Sequence, residues 1–229
     1  MTNSPCKYIS HLYDRAELAE FTQYCFDKYQ YLFKGPTRHY NWTLIEHHED
    51  QLKLRQILGN LFEIFESIGQ PLVYKGPKIF YTDSMGSSII HKDPIGYKGK
   101  PLNECSKWAC NIPALRSDNV QLQFYDDSIE SDLTYHTHEN INSQRACVPN
   151  FYQKYAGQDF KIGEAPEEQT TPIFSRQFTD AMILDTTKWH RSKSSVDAFS
   201  CRIQYFTYWD LQKSYQDTVD DLSKHLLPY

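Results

Sequence analysis

Residues 87–99, Ser-Ser-Ile-Ile-His-Lys-Asp-Pro-Ile-Gly-Tyr-Lys-Gly, end a short apolar run with an imidazole and a carboxylate two positions apart. On a strand, residues i and i+2 share a face, so His91 and Asp93 are expected to project together while Lys92 points away. A neutral imidazole and a carboxylate on one face make half of a two-His, one-carboxylate metal site. Such a site leaves adjacent positions on iron open for a bidentate co-substrate and O2. The half-site needs a second His from a distant strand and a cation to anchor the co-substrate. The run Ala-Met-Ile-Leu-Asp-Thr-Thr-Lys-Trp-His-Arg at 181–191 supplies His190 after a strand-like segment. A polar turn then leads to Arg202, twelve positions on, inside a second strand-like run. There the guanidinium fork suits a carboxylate.

Other residues compete for these roles. In Tyr-His-Thr-His-Glu-Asn, 135–140, His136 and His138 also share a face if the chain is extended, which makes a cupin-type metal site the leading rival. Those residues lack the apolar flanks of a core strand, and Glu139 follows His138 directly and so turns away. They read as a polar loop in reach of substrate. His47 and His48, between Glu46 and Glu49, read as a solvated helix start. Arg191 adjoins His190 and on a strand faces the opposite way, so it is a poor anchor. The six cysteines contain no C-x-x-C pair, and Cys105 with Cys110 has no partner pair to complete a zinc site.

Elements must hold these groups in place. From Asp14, apolar residues recur at Leu18, Phe21, Cys25, Tyr29 and Leu32, a helical period that Asp14 and Glu17 open as a capping box and Lys34-Gly35-Pro36 closes. A second helix is predicted over 49–68, with Leu54, Ile57, Leu58, Leu61, Phe65 and Ile68 as its inner stripe and Gly69 and Pro71 as its stop. After Pro71 the texture changes to short apolar runs at 71–76, 78–83, 87–93, 107–115 and 119–127, separated by Gly, Pro, Asn and Asp. Residues 126–170 read as a polar, irregular insertion. Strand character returns at 180–186 and 198–209, and 215–226 forms an amphipathic helix. Two helices and then about eight short strands predict a mainly β sandwich or jelly roll with helices packed outside. The reading is of a single domain over 1–229: a helical N-terminal region at 1–70, a β core at 71–210 and a C-terminal helix at 211–229.

The balance of composition narrows the partners. With 24 Lys and Arg against 29 Asp and Glu, the formal net charge is −5, which gives no basic field for duplex nucleic acid. No apolar stretch approaches the roughly 20 residues that cross a bilayer. The start, Met-Thr-Asn-Ser-Pro-Cys-Lys, lacks the basic-then-apolar order of a secretion signal, predicting a cytoplasmic protein with reduced thiols. The 17 Tyr, 13 Phe and 4 Trp are read as core and cross-strand packing.

The H-x-D…H…R combination resembles the iron(II)- and 2-oxoglutarate-dependent dioxygenases. The runs 87–93, 108–115 and 183–206 are similar, in order, to that family's signature strands, and the likeness spans Ile79 to Trp209. The resemblance implies a double-stranded β-helix core. It implies Fe(II) bound by His91, Asp93 and His190, and 2-oxoglutarate held through its distal carboxylate by Arg202. It further implies Asn111, in Asn-Ile-Pro, and Tyr81 beside the co-substrate. Two features depart from the pattern: the stretch from His190 to Arg202 is longer than usual, and Arg202-Ile203-Gln204 replaces Arg-x-Ser. A longer turn accounts for the first, and the second passes a carboxylate contact to Tyr205 or Thr207. The carboxylate at Asp93, where a halogenase leaves room for chloride, implies hydroxylation. The implied reaction oxidises a C–H bond of an amino-acid-like small molecule or a protein side chain, consuming O2 and releasing succinate and CO2. The alternative is a cupin-type binding or isomerase module, with metal at 136–138 or none.

Overall fold

The computed structural model describes residues 4–10, 13–29, 39–43, 48–72, 78–82, 107–126, 134–137, 145–148, 171–196, 198–203 and 212–228. Strand β1 (Cys6–Tyr8) precedes helix α1 (Arg15–Tyr29). Asp14 starts that helix: its Oδ1 accepts from the N–H groups of Ala16 and Glu17 at 2.8 and 3.1 Å. Two donors that a helix start leaves unpaired are thereby satisfied. The reciprocal half of the box is absent, because Glu17 Oε1 instead accepts from Lys53 Nζ at 2.5 Å. Leu18, Phe21 and Cys25 are buried along one face, as the period predicts. Leu32 and the Lys34-Gly35-Pro36 stop lie outside the described residues.

Strand β2 (His39–Thr43) leads to helices α2 (His48–Ile57) and α3 (Gly59–Ser67). The one helix expected over 49–68 is therefore two. Leu58 turns the chain between them, its carbonyl accepting from Leu61 N–H at 3.0 Å and Phe62 N–H at 3.2 Å. Gly59, a weak helix former, follows the break. The apolar stripe continues through it, with Leu54, Ile57, Leu58, Leu61 and Phe65 all buried.

The remaining elements are β3 (Lys78–Thr82), β4 (Trp108–Leu115), β5 (Val120–Phe124), β6 (Thr134–Thr137), β7 (Arg145–Val148), β8 (Phe174–Gln177), β9 (Met182–Asp185), β10 (His190–Ser194), β11 (Ala198–Ile203) and helix α4 (Tyr215–Asp221). The C-terminal helix is shorter than 215–226 and gives way to a 3-10 turn at Ser223–His225. The predicted strand at 87–93 lies outside the described residues. The insertion at 126–170, expected to be irregular, contains the antiparallel pair β6 and β7. The polar turn expected after His190 is strand β10.

The fold is mainly β with helices on one side. Six strands form one sheet in the order β1-β9-β4-β11-β3-β2, and three form another in the order β10-β5-β8. Strand alternation divides the core. Trp108, Cys110 and Ile112 of β4 and Ile183 of β9 meet the apolar faces of α1, α2, α3 and α4. The opposite face of the same sheet, through Ala109, Met182 and Leu184, packs with Val120, Leu122 and Phe124 of the three-stranded sheet. The site candidates sit relative to this second, inter-sheet layer.

The registers have a common order. Lys78 pairs with Arg202, Trp108 with Asp185, and Gln121 with Gln177, so numbers rise along one arm while they fall along the other. Strands β3, β4 and β5 thus pair in order with β11, β9 and β8, as along one antiparallel ribbon. Successive turns of that ribbon pair sideways, β11 with β4 and β10 with β5. Between the pairs Thr82–Ala198 and Trp108–Asp185, one arm holds residues 83–107 and the other 186–197. Among the described residues, no helix is long and apolar enough to cross a membrane.

Candidate metal and co-substrate site

His190 begins β10 and pairs with Phe124 of β5, a member of the inter-sheet cluster. It is 4 % exposed. Alternation along β10 sets His190, Ser192 and Ser194 on the inner face and Arg191 and Lys193 on the outer one. The inward row is polar and small, so it carries no hydrophobic alternation that the sequence could display.

Two of the contacts of the His190 ring are with described residues. Its Nδ1 lies 2.8 Å from the carbonyl oxygen of Lys188. A carbonyl only accepts, so Nδ1 donates, and in the neutral ring Nε2 then carries the lone pair. A metal-binding imidazole takes this form, with its other nitrogen donating to a backbone carbonyl. The Phe124 ring lies against the imidazole at 5.9 Å between centroids, tilted by 34°. The turn before the strand presents the Lys188 carbonyl. Asp185 Oδ1 accepts there from Thr187 N–H at 2.9 Å and from Thr187 Oγ1 at 2.5 Å. Tyr125 N–H then ties the carbonyl of buried Trp189 to the neighbouring strand at 2.9 Å.

Asn111 pairs with Met182 on one side and Arg202 on the other. Met182 belongs to the inter-sheet cluster, so by register Asn111 and Arg202 occupy the same, inter-sheet face. Among the described residues, the buried Oδ1 of Asn111 has no hydrogen-bond partner. An unsatisfied buried acceptor costs on the order of 1–3 kcal/mol, which a bound group that engages the amide would recover. Tyr81 pairs with Phe199, and alternation along β3 and β11 sets it on the face of Cys201, which pairs with Ile112. That is the helix-packed face, opposite Asn111 and Arg202. The register therefore pairs Asn111 with Arg202, and Tyr81 with Phe199.

Arg191 faces outward, as expected for the residue beside His190. Its Nε donates to Gln123 Oε1 at 2.8 Å, and its guanidinium lies over the Tyr125 ring at 5.7 Å. Tyr125 Oη donates to the same oxygen at 3.0 Å. This buried network holds Arg191 on the face away from His190. Cys110 is a fully buried thiol of the helix-side cluster. His136 is in β6, paired with Ala146 in a two-stranded sheet separate from the two main ones. His91, Asp93, Cys105 and His138 lie outside the described residues. Among the described residues, no group of three His, Cys, Asp or Glu side chains gathers as a metal site. An open cavity of about 360 Å³ beside the 185–188 turn, lined by Lys107, Asp185, Lys188 and Ser214 among others, holds none of the candidates.

Sequence reasoning missed two contributors, the Lys188 carbonyl and the Phe124 ring. The first depends on turn geometry and left no residue-type signal. The second was readable only as one more apolar residue of a strand.

Among solved structures, the chain is similar to HygX from Streptomyces hygroscopicus with nickel and 2-oxoglutarate bound, at 12% identity and a TM-score of 0.49, over 92% of this chain and 90% of that one. No protein-family model matches the chain, and no curated protein matches it.

Proposed function

We propose that the chain is an iron(II)- and 2-oxoglutarate-dependent oxygenase built on a double-stranded β-helix, with His91, Asp93 and His190 as metal ligands. The ribbon register carries this reading. The pairs Thr82–Ala198 and Trp108–Asp185 bracket, in sequence, residues 83–107 with His91 and Asp93 on one side and residues 186–197 with His190 on the other, which supports a shared site. A ribbon whose turns pair sideways into two facing sheets is the jelly-roll plan. Its inter-sheet face holds His190 on one sheet and the Asn111–Arg202 pair on the other. The imidazole fits the group: its Nδ1 donates to a carbonyl, the form in which Nε2 can bind a metal.

When bound, the iron with 2-oxoglutarate and O2 supplies the oxidation: one oxygen atom enters succinate as CO2 leaves, and the other enters a substrate C–H bond. The chain's part is positioning. Arg202 offers two parallel N–H donors to the distal carboxylate of 2-oxoglutarate. The Asn111 amide engages the same molecule from the adjacent strand. The apolar inter-sheet layer keeps bulk water from the reacting centre. The Lys188 carbonyl keeps the Nδ1 proton in place, so that Nε2 faces the metal. The substrate is an amino-acid-like small molecule or a protein side chain.

Anaerobic titration with iron(II) and 2-oxoglutarate tests the reading. A visible charge-transfer band is expected in the wild type and absent in Asp93→Ala and His190→Ala. Arg202→Ala keeps metal affinity but needs far more 2-oxoglutarate. Tight metal binding that only His136→Ala abolishes would reverse the assignment in favour of a cupin-type site.

A further inference from the structure

We propose that the cavity beside the 185–188 turn is a binding site for a small organic anion, apart from the proposed metal and co-substrate residues. Its volume is about 360 Å³. Ligand sites commonly enclose about 300–1,000 Å³, so the cavity suits a small molecule. Four separate stretches of chain wall it, at residues 4–5, 107, 185–188 and 214–216. Hydrogen bonds pin these stretches together. Asp185 N–H donates to the Pro5 carbonyl at 2.8 Å, and Tyr215 Oη donates to the Ser4 carbonyl at 3.0 Å. Lys107 N–H donates at 2.7 Å to Oε1 of Gln212, a residue that is itself buried. The walls are therefore preformed, and binding does not have to order them.

Charge decides what the cavity accepts. Lys107 is partly buried, and its Nζ donates to the Gln212 carbonyl at 2.7 Å. Among the described residues, no ion pair joins it to a carboxylate. An ammonium carries three donors, so one carbonyl leaves hydrogen-bonding capacity over and supplies no countercharge. Drawing a cation partly out of water without a counter-ion is costly, and an anion beside it offsets that cost. Lys188 puts a second ammonium on the wall. The carboxylate on the wall, Asp185, has its Oδ1 covered by the N–H and hydroxyl of Thr187. The lining thus carries two cations against one anion, and Pro5 and Tyr215 add apolar surface. A carboxylate or phosphate group on a small apolar body matches it. A neutral molecule of the same shape leaves Lys107 without a countercharge.

Titration of the full chain with benzoate, benzamide and inorganic phosphate, followed by backbone amide resonances, tests the site. Benzoate is expected to shift the Thr187 and Lys188 amides to saturation, and benzamide, its neutral counterpart, to leave them in place. Lys107→Met and Lys107→Gln keep the backbone bond to Gln212 but lose the charge. Both are expected to weaken anion binding about tenfold or more, as loss of a hydrogen bond to a charged group does. Arg202→Ala is expected to bind the anion as the wild type does. Phosphate separates the two sources of charge. Saturation by phosphate alone assigns a phosphate group, and saturation by benzoate alone assigns a carboxylate on an apolar body. The proposal is overturned if neither anion shifts these amides, or if benzamide shifts them as far as benzoate. That comparison needs only the wild type, so it decides the matter even if the Lys107 variants fail to fold. A response lost in Arg202→Ala and kept in Lys107→Met would place the anion at the co-substrate residues and equally overturn the proposal.

Discussion

Cys6 reports how dry the inter-sheet layer is. It is 1 % exposed on β1, pairs with Leu184, and packs in the cluster that holds Ala109, Phe124 and Met182. Burial pushes its thiol from 9.0 up to about 12, against the opposing pull of Arg176 and Lys7. The folded state thus holds its proton where the unfolded chain releases it. The resulting stability is complete below the unfolded value of 9.0 and is lost as pH rises from there toward about 12. Cys6→Ala is expected to abolish this dependence. The stability gap between wild type and variant, from denaturant titrations, should narrow by about 1 kcal/mol over the first pH unit above 9.0. A gap that stays constant through that range would mean that water reaches the thiol. At this scale, the proposed ligand set rests on residue type and strand period, which an H-x-D and a distant H…R display in the sequence. Strand partners were not legible: Tyr81 pairs with Phe199, and register is a long-range property.

The helices hold the six-stranded sheet in place from the side opposite the site. Phe65 of α3 stacks on Trp108 of β4 at 5.3 Å and 27°, and three residues beyond Trp108 lies Asn111. The end of α3 is closed by Gly69 at φ +69°, with Gly69 N–H donating to Glu66 at 2.9 Å and Gln70 N–H to Phe65 at 2.9 Å. This is a Schellman closure, which needs a left-handed residue after the helix. A Cβ at Gly69 would meet nothing within 4 Å, so a side chain there is opposed by the backbone alone. Gly69→Ala is expected to cost about 1 kcal/mol in chemical denaturation, and Gly69→Asn less, with metal affinity unchanged in both. Equal costs for Ala and Asn would locate the penalty elsewhere. The helix stripes were legible because apolar residues fix a period. The break at Leu58 was not, since the buried stripe runs through it. Strand β10 was read as a turn for a related reason: His-Arg-Ser-Lys-Ser puts polar groups on both faces, and only burial by the opposite sheet makes it a strand.

At the scale of the whole molecule, the antiparallel ribbon ties together segments over a hundred residues apart, such as Lys78 and Arg202. Sequence pattern supplied most of its strands, whereas the pairing order came only from the structure, because alternation says which face is inward and not which neighbour lies beside it. The ribbon gives the proposed metal a structural consequence. On the proposed ligand set, an ion held by His91, Asp93 and His190 would join two sequence segments, 83–107 and 186–197, that the Thr82–Ala198 and Trp108–Asp185 pairs bracket. The unfolded chain cannot hold these groups together, so binding adds directly to stability. At a hundredfold excess over the dissociation constant the gain is about 2.7 kcal/mol. For a chain of this size, at roughly 2–4 °C per kcal/mol, that is a rise in melting temperature of about 5–10 °C. Nickel(II) is expected to produce this rise in the wild type and in His136→Ala, and a chelator to reverse it. Asp93→Ala and His190→Ala should melt at the same temperature with or without the ion. If Asp93→Ala alone still responds like the wild type, the ion does not join these two segments, and the carboxylate belongs outside the site.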